Sequence, residues 1–211
     1  VYIFDDKIVI TYNADEKIYP ASFVKILTAL VAIENGNLTD EITASKQTLE
    51  TIPDNAVSVG IKPEEVMTLE QLLYCLLVYS ANDAAAVIAD YFGKGNQASF
   101  VAEMNKYVTD LGCKNTYFAN PHGLDDEKVK GYEAKTQNKT TANDMYLIAK
   151  AAIANENIVK ISSKYGKTIP KTNSHDERNI YNSNPLLNNY SYYYYEGAIG
   201  LKNAYTSKAG C

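Results

Sequence analysis

The sequence contains no tryptophan, two histidines, a single arginine and three cysteines among its 211 residues. Each scarcity removes a class of chemistry. With one guanidinium, Arg178, and a formal net charge of −5, the chain has no basic groove for a phosphate backbone, so nucleic acid is not an expected partner. Cys75, Cys113 and Cys211 are widely spaced and form no C-x-x-C pair, which leaves neither a zinc knuckle nor a thioredoxin-like couple. Cys75 lies within an apolar run and reads as a small core residue. His122, in a Pro-His-Gly turn, and His175, in a polar loop, are too few for a histidine-rich metal site or a Ser-His-Asp triad. H-E-x-x-H, Walker A and G-x-G-x-x-G patterns are missing, so no metal and no cofactor is expected. No apolar run reaches the roughly 18 residues of a membrane span, and the opening residues carry neither a basic n-region nor a cleavage site.

What is present suits a globular domain: 46% hydrophobic and 21% charged residues, with a mean hydropathy of −0.27. A chain of this length buries roughly 70% of its unfolded surface, enough for a core without staples. Residues 1–4 and 8–12 are β-rich runs around the polar turn Asp5-Asp6-Lys7, which predicts a hairpin. Residues 22–33 repeat apolar side chains at helical spacing and end at Asn35-Gly36. Ser22 therefore falls at a helix N-terminus.

Residues 40–60 are weakly patterned and read as loop and short strands. A capping box, Thr68 with Gln71, opens an apolar helix over 72–78; Tyr79-Ser80-Ala81-Asn82 interrupts it before a second helix over 83–91. Further helices are expected over 97–111 and from the Thr141 cap through Ala152, with a charged surface loop over 125–139 between them. Beyond Lys160 the pattern changes to short extended pieces at 167–169, 180–181 and 198–206. Strands at both ends and helices between them predict an α+β fold in which an antiparallel sheet built from both chain ends carries an inserted helical lobe of about 40–160.

Three short patterns carry chemistry. Ser22-x-x-Lys25 puts a hydroxyl and an amine on one helix face, within reach of each other and beside free backbone N–H groups. A lysine whose pKa is lowered by burial and by other cations takes a serine proton during acyl transfer, the task of histidine in a triad. Ser80-x-Asn82 sits at a helix break, where polar side chains project into a cleft or serve as caps. Lys202 follows Gly197 and Gly200 in an extended run.

In this order, S-x-x-K, S-x-N and a strand lysine are the set of penicillin-binding proteins and class A β-lactamases. With Asn120-Pro-His-Gly-Leu124 and Tyr205-Thr-Ser-Lys-Ala-Gly210 added, essentially the whole chain resembles the D-alanyl-D-alanine carboxypeptidases, the low-molecular-weight penicillin-binding proteins of serine peptidase family S11. The resemblance implies a β-lactamase/transpeptidase-like fold and removal of the terminal D-Ala from peptidoglycan stem peptides, outside the cytoplasmic membrane of a bacterium. It further implies covalent inhibition by β-lactams, and membrane association only through segments this chain does not include. Ser22 would be the nucleophile, Lys25 its base, Ser80 a proton relay and Asn82 a substrate-amide contact. Lys202 would supply positive potential, Ser22 and Tyr205 the oxyanion N–H groups, and Thr206 a carboxylate contact. The 120–124 turn would be structural.

Two departures qualify the resemblance. Lys202-Asn203-Ala204 stands where the family has Lys-Thr-Gly, so Asn203 replaces a hydroxyl and the Ala204 methyl faces the substrate edge. The family's sheet also continues past this strand, so residues 1–211 are expected to be a single penicillin-binding domain lacking its C-terminal strands. A catalytically impaired homologue with a cell-wall binding or regulatory role is the alternative. A β-lactamase is a third reading, weakened because Ser80-Ala81-Asn82 lacks the middle Asp and no deacylating Glu is evident.

Overall fold

The computed structural model describes residues 2–4, 7–125 and 137–210. A hairpin of β1 (Tyr2–Phe4) and β2 (Lys7–Ile10) leads to a 3-10 turn, Ala21–Phe23, and α1 (Val24–Asn35). The expected hairpin turn at Asp5 and Asp6, the expected loop at 126–136 and Cys211 lie outside the described residues. Every residue of α1 from Val24 to Ala32 is buried, including Lys25 and Thr28, so this helix is enclosed on all sides instead of presenting one apolar stripe. It packs against α4 (Asn82–Phe92), α5 (Gln97–Asp110) and α6 (Ala142–Ile153).

The middle of the chain builds the remaining helices. The Thr68–Gln71 capping box forms as the sequence predicts, with Gln71 N–H donating to the Thr68 hydroxyl and Thr68 N–H to the Gln71 side chain, and it starts α3 (Leu69–Tyr74). The chain continues through a π-helical turn, Cys75–Tyr79, and stops at Ser80. Residues 40–60 are more ordered than their weak pattern suggests. They contain β3 (Glu41–Thr43), which pairs antiparallel with β4 (Val66–Thr68), and α2 (Lys46–Leu49), whose N-terminus is capped by Ser45. A four-residue helix has too few positions to display a period. The same reason hides α7 (Glu156–Ser162), capped by Asn155 and anchored by buried Ile158 and Ile161, in a segment read from sequence as leaving helix at Ala152.

The expected short strands near 167–169 and 180–181 are β5 (Gly166–Ile169) and β6 (Arg178–Tyr181), an antiparallel pair. The third, at 198–206, is a correction. Among the described residues the three sheets are separate two-stranded ladders, and 198–205 joins none of them. Gly197 and Gly200 both adopt positive φ, 91° and 109°, which breaks an extended run, and Thr206 bridges only Gly210. The α+β composition stands, and the buried core gathers α1 with the other helices and with Ile42, Met67, Ile169 and Ile180 of β3 to β6.

Candidate active site

Two backbone irregularities aim the serines. Ala21 has φ +46°, which turns the chain into the 3-10 turn and leaves Ser22 half-buried at the start of α1. Ser80 has φ +71° and ψ +29°, a left-handed conformation that a non-glycine residue adopts at a cost of order 1–3 kcal/mol, and it ends a π turn, a feature frequent at functional sites. The result is that Ser80 Oγ donates to Ser22 Oγ at 3.2 Å across 58 residues of sequence.

Lys25 is the centre of the arrangement. It is fully buried, and its Nζ lies 3.1 Å from Ser22 Oγ, 2.8 Å from Asn82 Oδ1 and 2.6 Å from the His122 carbonyl oxygen. Asn82 is oriented by its other end. Its Nδ2 and its backbone N–H both donate to Val57 O, at 2.9 and 2.8 Å, so its oxygen faces the lysine. Burial, and then the charge of Lys202, hold the Lys25 pKa well below the ordinary lysine value, against an opposing pull from Asp83. A neutral lysine amine has two hydrogens and one lone pair. The Asn82 and His122 oxygens take the two hydrogens, which leaves the lone pair directed at Ser22.

Of the residues singled out from sequence, the structure brings Ser22, Lys25, Ser80 and Asn82 together. Lys202 is within electrostatic reach of Lys25, and burial lowers its own pKa to about 8, but its ammonium donates to Asn203 O and Asn203 Oδ1, at 2.8 and 3.2 Å. Asn203 Nδ2 donates to Ser183 Oγ, so the residue that replaces threonine is tied into its own chain. Tyr205 is exposed, and the Thr206 hydroxyl accepts from Ala209 N–H. A groove of about 660 Å³ is lined among others by Phe23, Ile26, Met145, Tyr146, Leu201 and Lys202. Among the described residues no cluster of side chains is suited to a metal ion, and no helix is long and apolar enough to cross a membrane.

Sequence reasoning gave the 120–124 turn a structural role only. It is structural, and it is also part of the site. His122 is fully buried with its carbonyl on Lys25, Pro121 O accepts from Thr28 Oγ1 at 2.6 Å, and Asn120 Oδ1 accepts from Gly123 N–H at 2.8 Å. The side chain of His122 misled the reading, because the functional atom belongs to the backbone.

Comparison with known proteins identifies the family. The sequence profile of the D-alanyl-D-alanine carboxypeptidases matches residues 4–211. A D-alanyl-D-alanine carboxypeptidase of Bacillus subtilis is 30% identical over 96% of this chain and 49% of its own length, and one of Mycobacterium tuberculosis is 35% identical over 90% and 59%. The solved structure of a Streptomyces DD-transpeptidase superposes with a TM-score of 0.81 at 28% identity, covering 96% of this chain and 76% of that one. The chain spans about half the length of the curated relatives it matches. The near-complete profile match and these relatives lead to one conclusion: the chain belongs to the D-alanyl-D-alanine carboxypeptidase family, serine peptidase family S11.

Proposed function

We propose that this chain carries the machinery of a penicillin-sensitive serine D,D-carboxypeptidase, which removes the terminal D-Ala of peptidoglycan stem peptides outside the cytoplasm through an acyl-enzyme. The observation that carries the reading is the Lys25 Nζ contact with Ser22 Oγ, set up by two oxygens that occupy the amine's hydrogens. Ser22 Oγ attacks the carbonyl carbon of the penultimate D-Ala while Lys25 accepts its proton. The developing oxyanion is met by the backbone N–H groups of Ser22 and Tyr205. Ser80, hydrogen-bonded to Ser22 Oγ, passes a proton to the amine of the departing D-Ala. Asn82 holds the substrate amide, Lys202 supplies positive potential for the terminal carboxylate, and Asn203 and Thr206 border that carboxylate. Water then hydrolyses the Ser22 ester, so each cycle consumes one water and releases one D-Ala.

In this reading residues 1–211 act as one penicillin-binding unit, with a helical lobe of about 40–160 supplying Ser80 and Asn82. The natural partner is the cell wall, where trimming of stem peptides bears on wall cross-linking and cell shape. Incubation with a fluorescent penicillin followed by intact mass tests the reading. One adduct on the wild type and none on Ser22→Ala supports it, together with D-Ala release from diacetyl-Lys-D-Ala-D-Ala. An unlabelled wild type that releases no D-Ala sinks it.

A further inference from the structure

Asn82 can orient Lys25 only if Val57 O stays in place, yet Val57 is half exposed and residues 57–61 form neither helix nor strand. One carboxylate takes three donors of this loop, which Arg178 also meets at Val59 O. Asp83, only 3% exposed, accepts from Ser58 Oγ at 2.5 Å, from Ile61 N–H at 3.0 Å and from Val59 N–H at 3.3 Å, and closes its own helix start by accepting from Ala84 N–H at 3.0 Å. Ser58 Oγ in turn accepts from Gly60 N–H at 2.9 Å. All four donors to Asp83 are neutral, so its charge is stabilised by hydrogen bonds and not cancelled by an ion pair.

We propose that Asp83 is the positioning residue of this site: its buried carboxylate gathers the 57–61 loop so that Val57 O fixes the Asn82 amide with its oxygen toward Lys25, and its negative charge bears on the lysine. The proposal rests on the acyl-enzyme reading and adds to it a residue that never touches substrate. Asp83 stands next to Asn82 on α4, so one helix start delivers both the amide and the carboxylate that keeps it aligned. The charges that act on Lys25 are those of Asp83 and Lys202, with the neutral His122 beside it; Asp83 acts on Lys25 and on Cys75, and Arg178 and Glu65 act on Cys75 as well. Only Asp83 among them raises the Lys25 pKa, while Lys202 and burial lower it. The site therefore holds its base between two opposing charges.

The test compares Asp83→Asn and Ser58→Ala with the wild type, using the second-order rate of penicillin acylation against pH and hydrogen exchange of residues 57–61. Asp83→Asn keeps the shape and removes the charge, so acylation falls about tenfold through misorientation. The acidic limb of its pH profile moves down by about half a unit, because Lys25 loses the one charge that raises its pKa. Ser58→Ala keeps the charge, so its rate also falls while its limb stays where it was. In both variants the Val59 and Ile61 amides exchange about tenfold faster. A purely structural role lowers the thermal midpoint and moves no limb. If Asp83→Asn does not fold, Ser58→Ala decides: a rate within twofold of the wild type, or unaltered exchange, overturns the proposal. An unmoved limb in folded Asp83→Asn also overturns it. A wild type that takes no penicillin overturns the acyl-enzyme reading and this proposal with it, whereas labelled wild type with unaffected variants overturns this proposal alone.

Discussion

The Nζ of Lys25 lies 2.6 Å from the carbonyl oxygen of His122, 97 residues further along the chain. The contact ties the helix of Lys25 to a turn whose histidine is sealed from water. Burial first, and the Lys25 charge second, push the His122 pKa down to about 3, so the folded protein holds this imidazole neutral. Its Nδ1 accepts from Leu124 N–H at 3.2 Å, as the neutral ring requires. The unfolded chain binds a proton near pH 6.5 and the folded chain does not. Stability is therefore fully present above the unfolded pKa and is lost as pH falls from about 6.5 toward 3, by roughly 3 kcal/mol between pH 7 and 4.5. Chemical denaturation at those two values should show the drop in the wild type and a shallower one in His122→Gln. Equal slopes would remove His122 as the cause.

The amide of Asn82 accepts from Lys25 without placing a charge beside it. In Asn82→Asp a carboxylate sits 2.8 Å from Nζ, favours the ammonium and opposes Val57 O with a second acceptor. The rising limb of penicillin acylation should move up by about one pH unit or more, with a loss at pH 7 of up to about tenfold for each unit moved. A rate recovered at high pH separates this from a folding defect.

Gly123 has φ +87°, and a Cβ there would stand 2.0 Å from Ala21 O and 3.0 Å from Ser22 N, both backbone atoms. Neither can move without dragging the nucleophile. Gly123→Ala should cost about 2–3 kcal/mol from strain and backbone clash, and slow acylation more than it lowers the melting temperature predicts. Comparing the acylation rate well below the melting temperature with that of the wild type separates the two effects.

How far the site was legible depends on which atoms carry it. Ser22, Lys25, Ser80 and Asn82 are side chains at helix starts, and spacing, breaks and caps expose such positions in a sequence. The His122 carbonyl, the left-handed Ser80 and the Asp83-bound loop are backbone or tertiary features. No side-chain pattern announces a carbonyl, and Asp83 looks like any acidic residue in a first helical turn. The longer helices showed a period that α2 and α7 are too short to display. The run at 198–206 misled because a sequence does not show the sign of φ, which is positive at Gly200 within it and at Gly197 just before it.

The single arginine acts inside the protein. Arg178 Nη2 pairs with Glu65 Oε1, both nearly inaccessible, and Nη1 reaches Val59 O at 3.4 Å. Glu65 also accepts from Thr172 Oγ1 at 2.8 Å and Lys62 N–H at 3.0 Å, so β6 and the approach to β4 meet at one carboxylate. Arg178→Leu leaves that carboxylate buried without its counter-ion and should destabilise the fold by about 3–5 kcal/mol. Adding Glu65→Gln should return part of the loss, measurable as a positive coupling in urea unfolding. Additive losses would show that the pair contributes nothing as a pair.

Asn203 holds the lysine that the proposed mechanism sets against the substrate carboxylate. Its Oδ1 and its carbonyl hold the Lys202 ammonium, and its Nδ2 is committed to Ser183. Threonine at this position is a shorter side chain with a single hydroxyl, and it leaves the Lys202 ammonium one acceptor fewer on its own chain. Glycine in place of Ala204 removes a methyl from the edge along which a peptide would lie. The double variant Asn203→Thr/Ala204→Gly should therefore raise kcat/KM for release of D-Ala. One regained polar contact of about 1–3 kcal/mol corresponds to about 5- to 150-fold. The gain should be larger for a substrate with a free terminal carboxylate than for its amide, since Lys202 acts on that charge. A gain of equal size on both would assign the effect to the removed methyl, and no gain would mean that Asn203 already serves the substrate as well as threonine does.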